Sequence, residues 1–185
     1  MVTGIIYWSC SLDQSVSQHV FSTPIDQQPG YSLRSLELAV QRVHEGHIRW
    51  QAECFERLSG VSLTGAEITL LLLIGEGSGS KSIKEMARIT NRVDIPNIQY
   101  SLRKLASAGL TRKHGAGRSG VSYSLTEDGN RMAADMQAAR NDLVRQAYPD
   151  LSGMSRELEN ALKVLEELAG IYGATDGTGR SSKQG

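Results

Sequence analysis

The longest hydrophobic pattern in the chain lies in its first third and has helical spacing. From about residue 32 to 58, apolar and aromatic side chains recur at alternating intervals of three and four positions, which places them on one stripe of a helix of roughly seven turns. A helix of this length in a small domain typically packs against a long partner helix or another subunit. The pattern therefore predicts a dimerisation helix within residues 31–62. Its stripe consists of Leu33, Leu36, Val40, Val43, His47, Trp50 and Cys54.

Two helices in the middle of the chain begin with the same start signal. Thr64 is followed three residues later by Glu67, and Ser82 is followed by Glu85. In this S/T-x-x-E pattern, the hydroxyl and the carboxylate each accept a hydrogen bond from a backbone amide of the first turn. The sequence therefore predicts helices that begin near residues 64 and 82.

A further helix, after a tight turn, completes a helix-turn-helix. Asp94 has a side chain suited to an N-cap, and Gly109 is placed to end the helix. Between them, Ile98, Leu102 and Leu105 fall within about 60° of one another on the helical wheel and form the predicted buried face. Two short helices joined by a brief turn are the arrangement of a helix-turn-helix.

Two short alternating runs follow this motif. Residues 110–114 and 121–125 have strand spacing, and the glycine-rich segment 115–120 between them predicts a hairpin loop, or wing. Thr126 then caps a long helix, and a last helix runs to about Tyr172. The predicted fold is mainly α, a winged helix-turn-helix with long flanking helices in the order α-α-α-α-β-β-α-α.

This order divides the chain into five parts. Residues 1–30 are polar and irregular, and they predict an N-terminal arm that either contacts the partner subunit or stays mobile. The dimerisation helix at 31–62 precedes the winged helix-turn-helix domain at 63–125, and two C-terminal helices occupy 126–172. Residues 173–185 are rich in Gly, Ser and Thr and predict a disordered tail.

Charge is distributed unevenly along a chain whose formal net charge is zero. Between Lys81 and Arg118 there are nine Lys and Arg residues against two Asp and Glu, a net charge of +7. The flanking segments 1–80 and 119–185 carry −4 and −3. Since phosphate binding depends on local positive charge, this middle segment favours nucleic acid as a partner, with a solvated basic surface as the alternative.

Composition and cysteine spacing restrict the class of protein further. The longest apolar run, residues 70–74, is too short to span a bilayer, and no basic flank marks a secretory signal at the N-terminus, so we expect a cytoplasmic protein without membrane contact. Cys10 and Cys54 are far apart and have no neighbouring cysteine, which predicts free thiols rather than a disulfide framework or a zinc module.

A set of residues along the chain carries a family resemblance: Leu63-Thr64-Gly65-Ala66-Glu67, Ile83, Met86-Ala87, Asp94, Ile98, Leu102, Leu105, Gly109-Leu110 and Leu125-Thr126-Glu127-Asp128-Gly129. Through them the chain resembles, over residues 32–172, the MarR family (multiple antibiotic resistance regulator) of winged-helix transcription factors. The resemblance implies a homodimer in which the long flanking helices are dimerisation helices, the first at 31–62 and the C-terminal pair at 126–172. It also implies that the second helix of each motif lies in a major groove and that each wing lies at a minor groove.

The predicted recognition helix, about 94–108, offers several side chains to DNA. Asn97 can form a bidentate pair with adenine, Tyr100 offers a hydroxyl and a ring, and Arg103 reaches guanine or phosphate. For each of these the alternative is an ordinary exposed helix residue. The predicted DNA-contacting set on this helix is Pro96, Asn97, Tyr100, Ser101, Arg103 and Lys104.

The predicted wing, about 110–125, adds a second group of basic residues. Arg118 lies in the glycine-rich loop, where a guanidinium can enter a narrow minor groove. A solvated loop arginine is the alternative for this residue. Arg112 and Lys113 at the wing base, and Lys84 on the first motif helix, are predicted phosphate contacts.

The sequence also suggests a sensory site on the first helix. Proteins of the resembled family often bind a small apolar or phenolic effector between their dimerisation helices and the DNA-binding lobe. His47, Trp50 and Cys54 are placed for such a pocket, although a stripe at helical spacing is more often a packed helical seam. His44 and His47 lie one turn apart but lack the further ligands of a metal site.

No enzymatic constellation emerges. The run from Gly75 to Ser82 is similar to a phosphate-binding loop, but Ser80 replaces the second glycine and a helix precedes the run where a strand is required. We therefore expect no catalysis, no cofactor and no metal. The sequence favours a homodimeric regulator of transcription, a repressor that binds double-stranded DNA, with a winged-helix protein-interaction module as the alternative.

Overall fold

Six helices and three short strands make up the described parts of the chain. The computed structural model describes residues 29–77, 79–115, 120–148 and 152–174. The predicted mainly α winged fold is confirmed, with one added strand before the helix-turn-helix. The elements are α1 (Pro29–Ser59), α2 (Gly65–Gly75), β1 (Lys81–Ser82), α3 (Ile83–Ile89), α4 (Ile95–Ser107), β2 (Thr111–His114), β3 (Ser122–Leu125), α5 (Glu127–Ala147), a 3₁₀ turn (Ser152–Met154) and α6 (Ser155–Ala174).

The chain divides into two compact units, residues 1–44 and 45–185. The described part of the first unit is the N-terminal half of α1, in which Val43 is 70% exposed. In the second unit, Cys54 is fully buried and Trp50 packs against the core. The predicted arm and tail meet the described residues only at 29–30 and 173–174, which belong to α1 and α6.

The core of the second unit is built around α2. Contacts from α4, α5 and β3 enclose this helix, so it is buried on more than one face. Its buried apolar residues are Ile68, Leu70, Leu71, Leu73 and Ile74, and Leu72 is partly buried. The predicted buried face of α4 is confirmed, because its three apolar side chains have no exposed surface: Ile98, Leu102 and Leu105.

The helix-start signals have different outcomes. At α2 the complete capping box is present: the Glu67 amide donates to Thr64 Oγ1 over 3.3 Å, and the Thr64 amide donates to Glu67 Oε2 over 2.9 Å. At α3 the Ser82 hydroxyl accepts from the Glu85 amide. At α4, Asp94 occupies the N-cap position but its side chain makes no capping hydrogen bond, because the carboxylate is bound by other side chains.

Two glycines allow helices to lie directly against backbone. A Cβ at Gly65 would lie 2.5 Å from the carbonyl oxygen of Ile48 in α1. A Cβ at Gly129 would collide with the carbonyl oxygen of Leu110. These close approaches fix α2 against α1, and the first turn of α5 against the segment between α4 and β2.

The wing strands form a small antiparallel sheet in the order β1-β3-β2. Tyr123 of β3 pairs with Lys113 of β2 on one side and with Lys81 of β1 on the other. The run similar to a phosphate loop is a linker that leaves α2 and enters β1, with Gly77 and Gly79 at positive φ. The sequence did not predict β1, since two residues show no alternation.

The last helix has no buried residue in the described chain. Exposed apolar side chains recur along α6. No helix among the described residues is both long and apolar enough to cross a bilayer. The exposed apolar residues of α6 are Leu158, Leu162, Val164, Leu165, Ile171 and Tyr172.

Candidate nucleic-acid interface

Helix α4 turns its polar side chains outward because its apolar face is anchored in the core. Pro96 lies in the first turn, where its missing amide hydrogen costs no helical hydrogen bond. Tyr100 is 56% exposed, and the Cζ atom of Arg103 lies 5.9 Å from the centre of its ring. Asn97 is also exposed. One helix face therefore carries an amide, a phenol and a guanidinium.

Three side chains are linked at the start of α4. Arg92 Nε donates to Asp94 Oδ1 over 2.8 Å, and Arg92 Nη2 donates to Asp94 Oδ2 over 2.7 Å. Asn97 Nδ2 donates to the same Oδ2 over 3.1 Å. The hydrogen bonds from Arg92, and then that from Asn97, hold the pKa of Asp94 well below its usual range. The carboxylate therefore stays ionised near neutral pH.

Two predicted DNA contacts lie elsewhere than on the outer face. Ser101 is only 6% exposed, although the sequence placed it on an exposed flank. On the wheel it lies about 40° from Leu105, so it turns toward the core. Lys104 forms an ion pair with Glu67, with 2.9 Å between Nζ and Oε1, and this pair holds α4 to the first turn of α2. We therefore leave both residues out of the proposed interface.

Five of the basic residues of the middle segment are exposed and, among the described residues, have no acidic partner. Lys81 differs from them, since its Nζ donates to the carbonyl oxygen of Glu76 over 2.6 Å. Arg92 and Lys104 are the two cations already paired with carboxylates. The five unpaired cations are Lys84, Arg88, Arg103, Arg112 and Lys113.

Three residues separate the end of α4 from the wing strand β2, which exposes Arg112, Lys113 and His114. The Nε2 atom of His114 lies 2.6 Å from the hydroxyl oxygen of Ser124 across the hairpin. Arg118, the predicted minor-groove contact, lies outside the described residues.

A cleft of about 280 Å³ lies between α1, α2 and α5. Two of the three predicted effector residues, His47 and Trp50, line it, and their rings are stacked with centres 6.2 Å apart. Cys54 is buried in the core and is not among the residues that line the cleft. Met136 and Arg140 of α5 complete the opposite wall, and sequence reasoning did not single them out. The cleft thus combines aromatic and apolar surface with polar groups and one charge of each sign, Arg140 and Glu76.

Comparison with known proteins places this geometry in a recognised class. Residues 63–129 match the family described as "Winged helix DNA-binding domain". The transcriptional regulator BldR from Sulfolobus solfataricus is 19% identical, with a TM-score of 0.62 over 76% of this chain and 99% of that one. A MarR/EmrR family regulator from Acinetobacter sp. ADP1 is 14% identical, with a TM-score of 0.57 over 77% and 96%. The chain has the fold of MarR-family transcriptional regulators.

A further structure with the MarR fold is a MepR-like protein complexed with pseudoligands. It is 18% identical, with a TM-score of 0.55 over 78% of this chain and 96% of that one. A comparison with curated proteins gave no match. These likenesses confirm the resemblance at the level of fold, and the residue contacts proposed below rest on the geometry of this chain.

Within the MarR fold, the Glu67–Lys104 pair gives a testable pH dependence. Burial raises the pKa of Glu67, but hydrogen bonds from Lys104 and the Thr64 amide, with the Lys104 charge, outweigh it and lower the pKa overall. A carboxyl whose folded pKa is depressed contributes stability above its unfolded pKa, and this contribution is lost as pH falls through the folded value. We expect Glu67→Gln to lower the urea midpoint at pH 7, and the difference from wild type to shrink toward pH 3.

The matched control for this experiment is Glu53→Gln, which removes an exposed carboxylate from α1. This variant should unfold at the wild-type urea concentration at pH 7, because an exposed carboxylate contributes little to stability. A Glu67→Gln protein that is equally destabilised at pH 7 and pH 3 would show that the charge on Glu67 contributes nothing.

Proposed function

We propose that this protein is a sequence-specific DNA-binding regulator of transcription that acts as a homodimer in the cytoplasm and represses by occluding a promoter. The observation that carries the proposal is the exposed polar face of α4, set in a winged helix domain beside five unpaired cations. An apolar face of α4 that packs in the core, together with exposed hydrogen-bonding groups on its opposite face, suits a helix that enters a major groove.

The proposed contacts fall into two groups. Asn97, Tyr100 and Arg103, with Pro96 beside them, face base edges. Lys84, Arg112 and Lys113 neutralise phosphates and set the register of the protein on the duplex. Arg118 on the wing is proposed to enter the minor groove, on the sequence argument alone.

The apolar surface of α6 supports the homodimer. Six large apolar side chains recur along a helix with no buried residue, which a monomer would leave in water. A symmetric pair of chains covers such a surface by packing the same helices against each other. The two copies of α4 would then address half-sites about one helical turn apart.

The cleft at His47 and Trp50 is the proposed effector site. Stacked aromatic rings favour a flat apolar ligand, and Arg140 adds a cation that suits an acidic group on it. The MepR-like protein of the same fold was crystallised with pseudoligands, which supports a ligand-responsive role here.

Sedimentation of a fluorescent duplex tests the proposal. The duplex carries the DNA upstream of the protein's own coding sequence, and unlabelled mixed-sequence duplex serves as competitor. We expect a complex with two protein chains per duplex that survives a hundredfold excess of competitor. Absence of binding to any duplex would contradict the DNA-binding function and favour the alternative, a protein-interaction module. A complex with one chain per duplex would contradict the homodimer.

A further inference from the structure

A hydrogen bond to Asp94 orients the side-chain amide of Asn97. An ionised carboxylate only accepts hydrogen bonds, so the Asn97 side chain must turn its Nδ2 atom, and not its Oδ1 atom, toward Asp94 Oδ2. Arg92 holds the carboxylate itself in place through two hydrogen bonds of 2.8 and 2.7 Å. The Asn97 amide thus starts from a fixed position before any DNA is present.

This arrangement changes what Asn97 can offer to a base. A free amide presents two N–H donors and one carbonyl acceptor. With one N–H bound to Asp94, a single donor and the carbonyl oxygen remain. Adenine presents one acceptor, N7, and one donor, the N6 amino group, in the major groove, whereas guanine presents two acceptors. The remaining groups of Asn97 therefore match adenine and cannot satisfy both acceptors of guanine.

We infer that Asp94 is a positioning residue for sequence readout, which, by occupying one N–H of Asn97, makes this side chain select an A·T base pair over a G·C base pair in each half-site. The inference rests on the DNA-binding function proposed above. The depressed pKa of Asp94 supports it, since the carboxylate remains an acceptor across the pH range of ordinary binding experiments.

Arg92 has a separate role in this arrangement. A carboxylate at the edge of a DNA interface repels phosphates, and the guanidinium that pairs with it offsets that repulsion. Removal of Arg92 should therefore weaken binding to every sequence, while the Asp94–Asn97 hydrogen bond and the base preference persist. Removal of Asp94 should have the opposite effect. Affinity for mixed DNA should rise or stay unchanged, because the carboxylate that repels phosphates is gone, whereas the base preference should be lost.

The experiment is in vitro selection from duplexes with a randomised 24-base-pair centre, using the full chain. Wild type, Asn97→Ala, Asp94→Ala, Arg92→Ala and Asp142→Ala are compared. Asp142 is the matched control, because it also pairs with an arginine, Arg145, over 2.7 Å, but lies on α5 outside the basic segment. Circular dichroism and urea midpoints establish that each variant is folded, which we expect because Asp94 makes no capping hydrogen bond.

We expect the Asn97→Ala selection to identify the base pair that this side chain reads. At that position, Asp94→Ala should reduce the preference for A·T over G·C by about tenfold, within the range of one bidentate contact. Arg92→Ala and Asp142→Ala should retain the preference. An Asp94→Ala protein with the wild-type preference overturns the inference, and so does an Asn97→Ala protein with no altered position. Failure of the wild-type chain to retain any duplex instead overturns the proposed function itself.

Discussion

A variant with alanine at Lys84, Arg112 and Lys113 is expected to bind duplex DNA several hundredfold more weakly than wild type at 0.1 M salt. Each phosphate that a cation neutralises contributes about 0.9 to the slope of log affinity against log salt concentration, so the triple variant should have a slope flatter by about 2.7. At 0.1 M salt the same difference amounts to about 2.7 decades of affinity. Fluorescence anisotropy titrations at several salt concentrations measure both quantities.

The control for this experiment is a second triple variant with the same change in net charge. Arg49, Arg57 and Lys163 are exposed but lie outside the basic middle segment. Their replacement by alanine should leave the salt slope within a few tenths of the wild-type value. If both triple variants weaken binding equally, DNA responds to the total charge of the protein and the proposed face has no special role.

The second large effect is expected from Gly129→Ala, which should destabilise the protein by about 3 kcal/mol, at the upper end of the usual cost of overpacking. The added Cβ meets the carbonyl oxygen of Leu110, and a backbone atom cannot move aside by a rotamer change. Because Leu110 follows α4, the strain falls next to the end of that helix. Urea unfolding followed by circular dichroism measures the loss as a shift in midpoint.

Gly46→Ala in α1 is the matched substitution. A Cβ at this helical glycine meets nothing within 4 Å, so alanine should stabilise the protein by up to about 1 kcal/mol through the difference in helix propensity. Opposite signs for the two substitutions are the expected result. A Gly129→Ala protein as stable as wild type would show that α5 does not lie against the Leu110 carbonyl.

Periodicity and caps predicted the parts of the fold that depend on local sequence. Ile98, Leu102 and Leu105 recur with the helical period, and this alone identified the buried face of α4 and hence the outward position of Tyr100 and Arg103. The capping box at α2 was equally predictable from the sequence, because its donors and acceptors lie within one helical turn. Such features follow from neighbours three or four residues apart.

Features that depend on residues distant in the sequence could not be predicted from it. From the sequence, Lys104 is an ordinary exposed cation. In the structure it pairs with Glu67, which lies 37 residues away and also belongs to the capping box of α2. Strand β1 exists only through its pairing with β3, some forty residues later in the chain. Ser101 is a different case, since its wheel position already indicated burial and its polar side chain was given too much weight.

Three helices are joined in series through the first turn of α2. Gly65 allows that turn to lie against the α1 backbone at Ile48, and Glu67, two residues later, forms an ion pair with Lys104 of α4. The first turn of α2 therefore contacts both the C-terminal half of α1 and helix α4. A tilt of the C-terminal half of α1 that moved this turn would either carry α4 with it or separate the buried Glu67 carboxylate from Lys104. In the proposed homodimer, the spacing of the two copies of α4 would change with it.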